Sequence, residues 1–148
     1  MNLNLFDNLI IDENISINDI ENYNIKLNNK FNIYKSKPKK YGKLKYNILT
    51  FKNSVKIDNI EFLLQFCFIN DRIHYIKLYP NIKGNEKDKF NTCVNFVRNH
   101  YFNGNKNKFK IIKFSNNTLY ADDILSEKIK IHSEISYNKG GFITIKFM

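Results

Sequence analysis

Through the middle of the chain apolar residues alternate with polar ones at a period of two. In IEFLLQFCFI (60–69), Ile60, Phe62, Leu64, Phe66 and Phe68 fall on one face of an extended strand. Asn70-Asp71 then offers a two-residue turn into RIHYIKLY (72–79), since Asn and Asp tolerate the left-handed backbone such turns require. That register sets Phe68 opposite Ile73, Phe66 opposite Tyr75 and Cys67 opposite His74. Upstream, KLKYNILTFK (43–52) and SVKI (54–57) lead to a second tight turn at Asp58-Asn59. Together these segments predict an antiparallel meander with one heavily aromatic face.

The period then changes. Between 85 and 102, Phe90, Cys93, Val94, Val97 and Tyr101 recur at the spacing of one helix face. Glu86 and Asp88 suit the positive end of the helix dipole, and Asn103-Gly104 is a natural stop. Such a stripe predicts packing on the Phe-rich face of the sheet. Near the start, Ser16-Ile17-Asn18-Asp19 has the form of a capping box opening a short helix.

Strand patterning returns in FKIIKF (109–114), KIKIHSEIS (128–136) and FITIKF (142–147). A three-residue loop at Asn138-Lys139-Gly140 would set Ile135 opposite Ile143, Ile131 opposite Phe147 and His132 opposite Lys146. The expected fold class is α+β. A single domain spans 1–148, with a curved antiparallel β-sheet (a meander plus a C-terminal hairpin) and one main amphipathic helix packed on it.

Composition supports a globular chain: 43% of residues are hydrophobic and 15% aromatic, enough for one sizeable core in 148 residues. Asn, Ile and Lys fill nearly half of it, as A/T-rich codons would dictate, so part of the net charge of +10 is compositional. No Lys or Arg precedes Lys26, whereas Asp7, Asp12, Glu13, Asp19 and Glu21 do. Arg72 and Arg98 are the only arginines. Base readout leans on the planar arginine fork, so this charge suits diffuse attraction to acidic partners better. Cys67 and Cys93 make neither a disulfide framework nor a zinc spacing. The N-terminal stretch lacks the basic and apolar regions of a signal peptide, and no apolar run is long enough to span a bilayer. The expectation is a cytoplasmic protein in a reducing compartment, without membrane association.

Candidate chemistry is sparse. Cys67 with His74 has the composition of a nucleophile and its base, but equally that of a cross-strand pair under a second layer. Three scattered histidines, His74, His100 and His132, lack metal-ligand spacing. Asp122, Asp123 and Glu127 form an acidic cluster of the kind metal-dependent nucleases use, although Asp-Asp before Ile-Leu-Ser more often makes a turn or cap. No cofactor, metal or catalytic residue is therefore expected.

The most distinctive stretch is YKSKPKKYGKLKY (34–46), with six lysines and three tyrosines. Lys35, Lys37 and Lys39 alternate, as do Lys43 and Lys45, and Lys40 adds a further charge. A second basic loop carries Lys106, Lys108 and Lys110. Lysines here would guard an exposed strand edge against aggregation. They are also the candidate partner-binding residues, able to attract an acidic protein or, sequence-blind and salt-sensitive, a nucleic-acid backbone.

Taken in order, LIIDENISINDI, YGKLKYNILTFKNSVKIDNIEFLLQFCFINDRIHYIKLYP, the helix and GGFITIKF form a pattern. The chain resembles the small cytoplasmic immunity proteins that bacteria encode beside polymorphic or contact-dependent toxins. Matching elements are Gly42 in YGKL, the IDNIEF turn and strand, the FINDRIHYIKL hairpin and the Ile-rich terminal hairpin. It departs from the family pattern at Ser126-Glu127-Lys128-Ile129, where a Trp-Gly would stand, and near Asn107-Lys108-Phe109, where a Leu-Gly would. The resemblance implies an inhibitor and not an enzyme, which neutralises a cognate protein toxin by binding and occlusion. The alternatives are a basic nucleic-acid-binding module and, third, a metal-dependent nuclease.

Overall fold

A computed structural model describes residues 5–101, 110–115, 118–126, 129–136 and 140–147, with side-chain surroundings for 5–97, 99 and 141–147. The expected loops at Asn103-Gly104 and Asn138-Lys139, the basic pair Lys106 and Lys108, and Glu127 lie outside the described residues, as do the side chains of His100 and Tyr101.

Helix α1 (Ile17–Lys26) begins where the sequence predicts. The Ser16 side chain accepts from the Asp19 N–H, and the Asp19 carboxylate accepts from the Ser16 N–H. Five strands then precede the long hairpin partner: β1 (Ile33–Lys35), β2 (Lys39–Tyr41), β3 (Leu44–Phe51), β4 (Val55–Ile57) and β5 (Ile60–Ile69). Strand β6 (Arg72–Pro80) leads into α2 (Glu86–Tyr101). The chain ends in β7 (Lys110–Ser115), β8 (Thr118–Ser126), β9 (Ile129–Ser136) and β10 (Gly140–Phe147). All pairings are antiparallel, in the order β1-β3-β5-β6-β10-β9-β8-β7, with β2 on β3 and β4 on β5. The last strand, β10, docks against β6 and so joins two meanders into one sheet.

The fold is α+β with its main helix on the sheet, as expected, but four details differ. The β5–β6 turn forms at Asn70-Asp71 with φ of 49° and 64°, and Asp58-Asn59 turns in the same way at 50° and 65°. Past that turn a β-bulge intervenes: Phe68 faces Ile73, yet Cys67 faces Tyr75 and Phe66 faces Ile76. His74 becomes the extra, exposed residue, so Cys67 and His74 are not opposed. The bulge lets Ile73 and Ile76, three positions apart, both reach the core.

Asp122 and Asp123 form neither turn nor cap. They lie inside β8, with Asp122 at a register position between Lys110 and His132. Leu119, Tyr120 and Ile124 favour a strand, and pairing on both sides overrides the low strand propensity of Asp.

The terminal hairpin pairs Ser136 with Gly140, Ile131 with Ile145 and Ser133 with Ile143, while His132 faces Thr144. This is two positions from the expected register, which preserves the faces. The shift follows from Gly140, which joins β10 opposite Ser136 instead of serving in the loop, and the next residue, Gly141, passes directly beneath α2. A Cβ there would stand 2.4 Å from the Phe90 backbone nitrogen, a distance that no side chain can meet.

Finally, α2 does not cover the whole aromatic face. Asn85 and Asp88 cap it by reciprocal side chain to backbone bonds, and it lies over β9 and β10, burying Phe90, Cys93, Val94, Phe96 and Val97. Over the other half of the sheet the N-terminal segment and α1 supply Leu5, Ile11, Ile15, Ile17 and Ile20. A run of packed rings links them to the sheet: Phe6 meets Phe31, Phe31 stacks on Phe51, and Phe51 on Phe66.

Candidate functional site

The lysine strip becomes a short hairpin at one end of the sheet. Strand β2 folds back on the start of β3, setting Lys39 opposite Tyr46, Lys40 opposite Lys45 and Tyr41 opposite Leu44. Gly42, at φ 62°, and Lys43 form the turn, and open space surrounds the Gly42 α-carbon. The hairpin is firmly rooted. The Lys45 N–H donates to Asn70 Oδ1 and its carbonyl accepts from the Asn70 N–H, both at 2.9 Å, tying it to the β5–β6 turn.

Its surface is unusual in two ways. Tyr41 is 64% exposed and Leu44 42%, with Tyr41 edge-on to Tyr46 at 5.4 Å. Lys40 and Lys45 face each other directly, and like charges so placed repel. The six candidate lysines do not form one strip. By register, Lys40 and Lys45 share the helix side of the sheet, whereas Lys39 belongs to the opposite side, and Lys37 and Lys43 occupy connecting turns. Lys35 ends β1, its Nζ 3.4 Å from Glu21 Oε1 in α1. Both side chains are substantially exposed and the carboxylate oxygen has no hydrogen bond, so this pair contributes little stability.

Behind the hairpin lies a cleft of about 400 Å³, which sequence reasoning did not foresee. The first turn of α1 forms one side, Ser16 to Asn18, and Lys35 and Pro38 another. Lys45, Asn47 and Asp71 close it from the sheet. The capping box at Ser16 was visible in the sequence, but its place beside two lysines depends on how α1 crosses β1 and β3.

The Cys67 region offers no activated nucleophile. Burial pushes the thiol pKa up, against smaller lowering influences from its hydrogen bond with Tyr75 and from Lys77. Tyr75 is itself pushed up to about 12, chiefly by burial and then by Cys67. A neutral thiol beside a neutral phenol is a packing pair. Cys93 is also pushed up to about 12, by burial in the helix–sheet interface. Among the described residues no three His, Cys, Asp or Glu side chains gather as a metal site, and no helix is long and apolar enough to cross a membrane.

No family model, curated protein or solved structure matches the chain. The site's own chemistry is therefore what bears on function.

Proposed function

We propose that the protein is a toxin-neutralising immunity protein of the cytoplasm, which binds an acidic face of its toxin through the lysine hairpin and acts by occlusion, not catalysis. The observation that carries this reading is a hairpin fixed at its base that pairs Lys40 with Lys45 on one side and presents exposed Tyr41 and Leu44, with Lys39, on the other. Repulsion between opposed lysines detracts from folding, and a bound carboxylate relieves it. Exposed tyrosine gives an interface contact area at small entropic cost, and surrounding lysines steer an acidic partner into contact.

The test is protection of growth. Co-expression with the product of the adjoining reading frame should restore growth that the product alone arrests. Tyr41→Ala with Leu44→Ala should weaken protection while the chain stays folded, and Cys67→Ala and Asp123→Ala should not. Protection lost in folded Cys67→Ala would argue for catalysis instead. Retention of duplex or single-stranded nucleic acid at raised salt would favour the nucleic-acid reading.

A further inference from the structure

The cleft at the first turn of α1 holds polar groups that the fold itself leaves unused. Ile17 and Asn18 open a ten-residue helix, so their N–H groups have no intrahelical acceptor. The capping box satisfies only the N–H groups of Ser16 and Asp19. Lys45 lines the same cleft, as do Lys35, paired with Glu21, and the acidic Asp71, so Lys45 and the helix terminus carry the attraction for an anion. A helix N-terminus flanked by cations attracts an anion.

Asn47 supplies the independent sign of a ligand. It lines the cleft, is only 3% exposed, and its Oδ1 is buried with no hydrogen-bond partner. A buried acceptor left unmade costs about 1–3 kcal/mol. The neighbouring same-face positions are Leu49 and Phe51, so an aliphatic residue would continue the core pattern without that cost. An amide here has no structural employment. It calls for a donor from outside, next to the anion that the helix terminus calls for.

We infer that this cleft is a recognition pocket for an acidic residue of a polypeptide. The incoming carboxylate meets the Ile17 and Asn18 N–H groups and Lys45, and an adjacent main-chain N–H donates to Asn47 Oδ1 once rotation of the amide turns that buried oxygen to the cleft. About 400 Å³ accommodates one such side chain with its flanking peptide groups. The inference rests on the reading that the partner is an acidic protein, and it names the contact that partner makes. Inorganic phosphate satisfies the anion site but offers no peptide N–H.

The test is an amide-resolved NMR titration of the free protein with a blocked Gly-Glu-Gly tripeptide, the same peptide N-methylated at its glutamate nitrogen, and inorganic phosphate. The expected result is saturable shifts at Ile17, Asn18, Lys45 and the Asn47 side-chain amide. Binding should weaken by about fivefold or more on N-methylation and in Asn47→Leu, the loss of one hydrogen bond. Asn47→Leu should also melt no lower than the parent, which a purely structural asparagine would not allow. Lys45→Gln, at an exposed position, gives a second variant that keeps the fold. No saturable shift, equal binding of the methylated peptide, or phosphate binding as tightly as the peptide would overturn the inference. Because no toxin is present, failure here is distinct from failure of the growth test.

Discussion

Phe66 is fully buried and stacks on Phe51, 5.5 Å between ring centres, where the strands of the first meander meet the N-terminal segment. Phe66→Ala should cost about 3–5 kcal/mol in urea denaturation, and Phe66→Asp should leave no cooperative transition, because no partner there compensates a charge. Cys93 makes a pH-dependent contribution. Its thiol keeps its proton in the folded state up to about 12, against an ordinary value of 9.0. Between those values the unfolded chain binds fewer protons than the folded one, so stability falls as pH rises. The contribution is complete below pH 9 and declines above it by at most about 1.4 kcal/mol per pH unit. Cys93→Ala should flatten the alkaline loss of the urea midpoint relative to the parent. Residues of this kind were legible from periodicity alone, since Phe66 and Cys93 each fall on the apolar face of their pattern. Asn47 was not, because nothing in its spacing distinguishes a buried orphan acceptor from a solvated one.

At the scale of elements, the contact between β10 and α2 depends on one missing Cβ. Gly141→Ala should push the helix from the sheet and cost about 1–3 kcal/mol, measured by denaturation, with the largest spectral changes at Phe90 and Val94. Gly42→Ala meets open space instead, and there only the left-handed backbone resists, at about 1–2 kcal/mol. The hairpins at Asp58-Asn59 and Asn70-Asp71 could be read from sequence because turn chemistry and alternation agree. The bulge at His74 could not, since it arises from the need to bury Ile73 and Ile76 together. Strand β8 was hidden by Asp122-Asp123, whose local preference for turns yields to pairing with β7 and β9. The terminal register differs because apolar pairing favours an alignment with Gly140 in the loop, whereas Gly140 belongs to β10 opposite Ser136.

For the molecule as a whole, charge and shape separate the lysines by role. Lys37, Lys39, Lys40 and Lys43 are exposed and lie outside the cleft, whereas Lys35 and Lys45 line it. The sequence displayed the lysines as one run, and only the fold divides them, because β1 ends at Lys35 and β2 begins at Lys39. Asp19 and Glu21 of the acidic N-terminal segment belong to α1, and residues 37–45 of the hairpin contain no acid, which leaves its tip basic. If this tip captures an acidic protein face, as proposed, association kinetics report it most directly. The measurement compares the parent with a variant carrying Lys37, Lys39, Lys40 and Lys43 as glutamate, binding the adjoining gene's product across a range of salt. Parent association should slow as salt rises, and variant association should be slower by about tenfold or more at low salt with an unchanged melting temperature. Equal association rates for the two proteins at every salt concentration would contradict it.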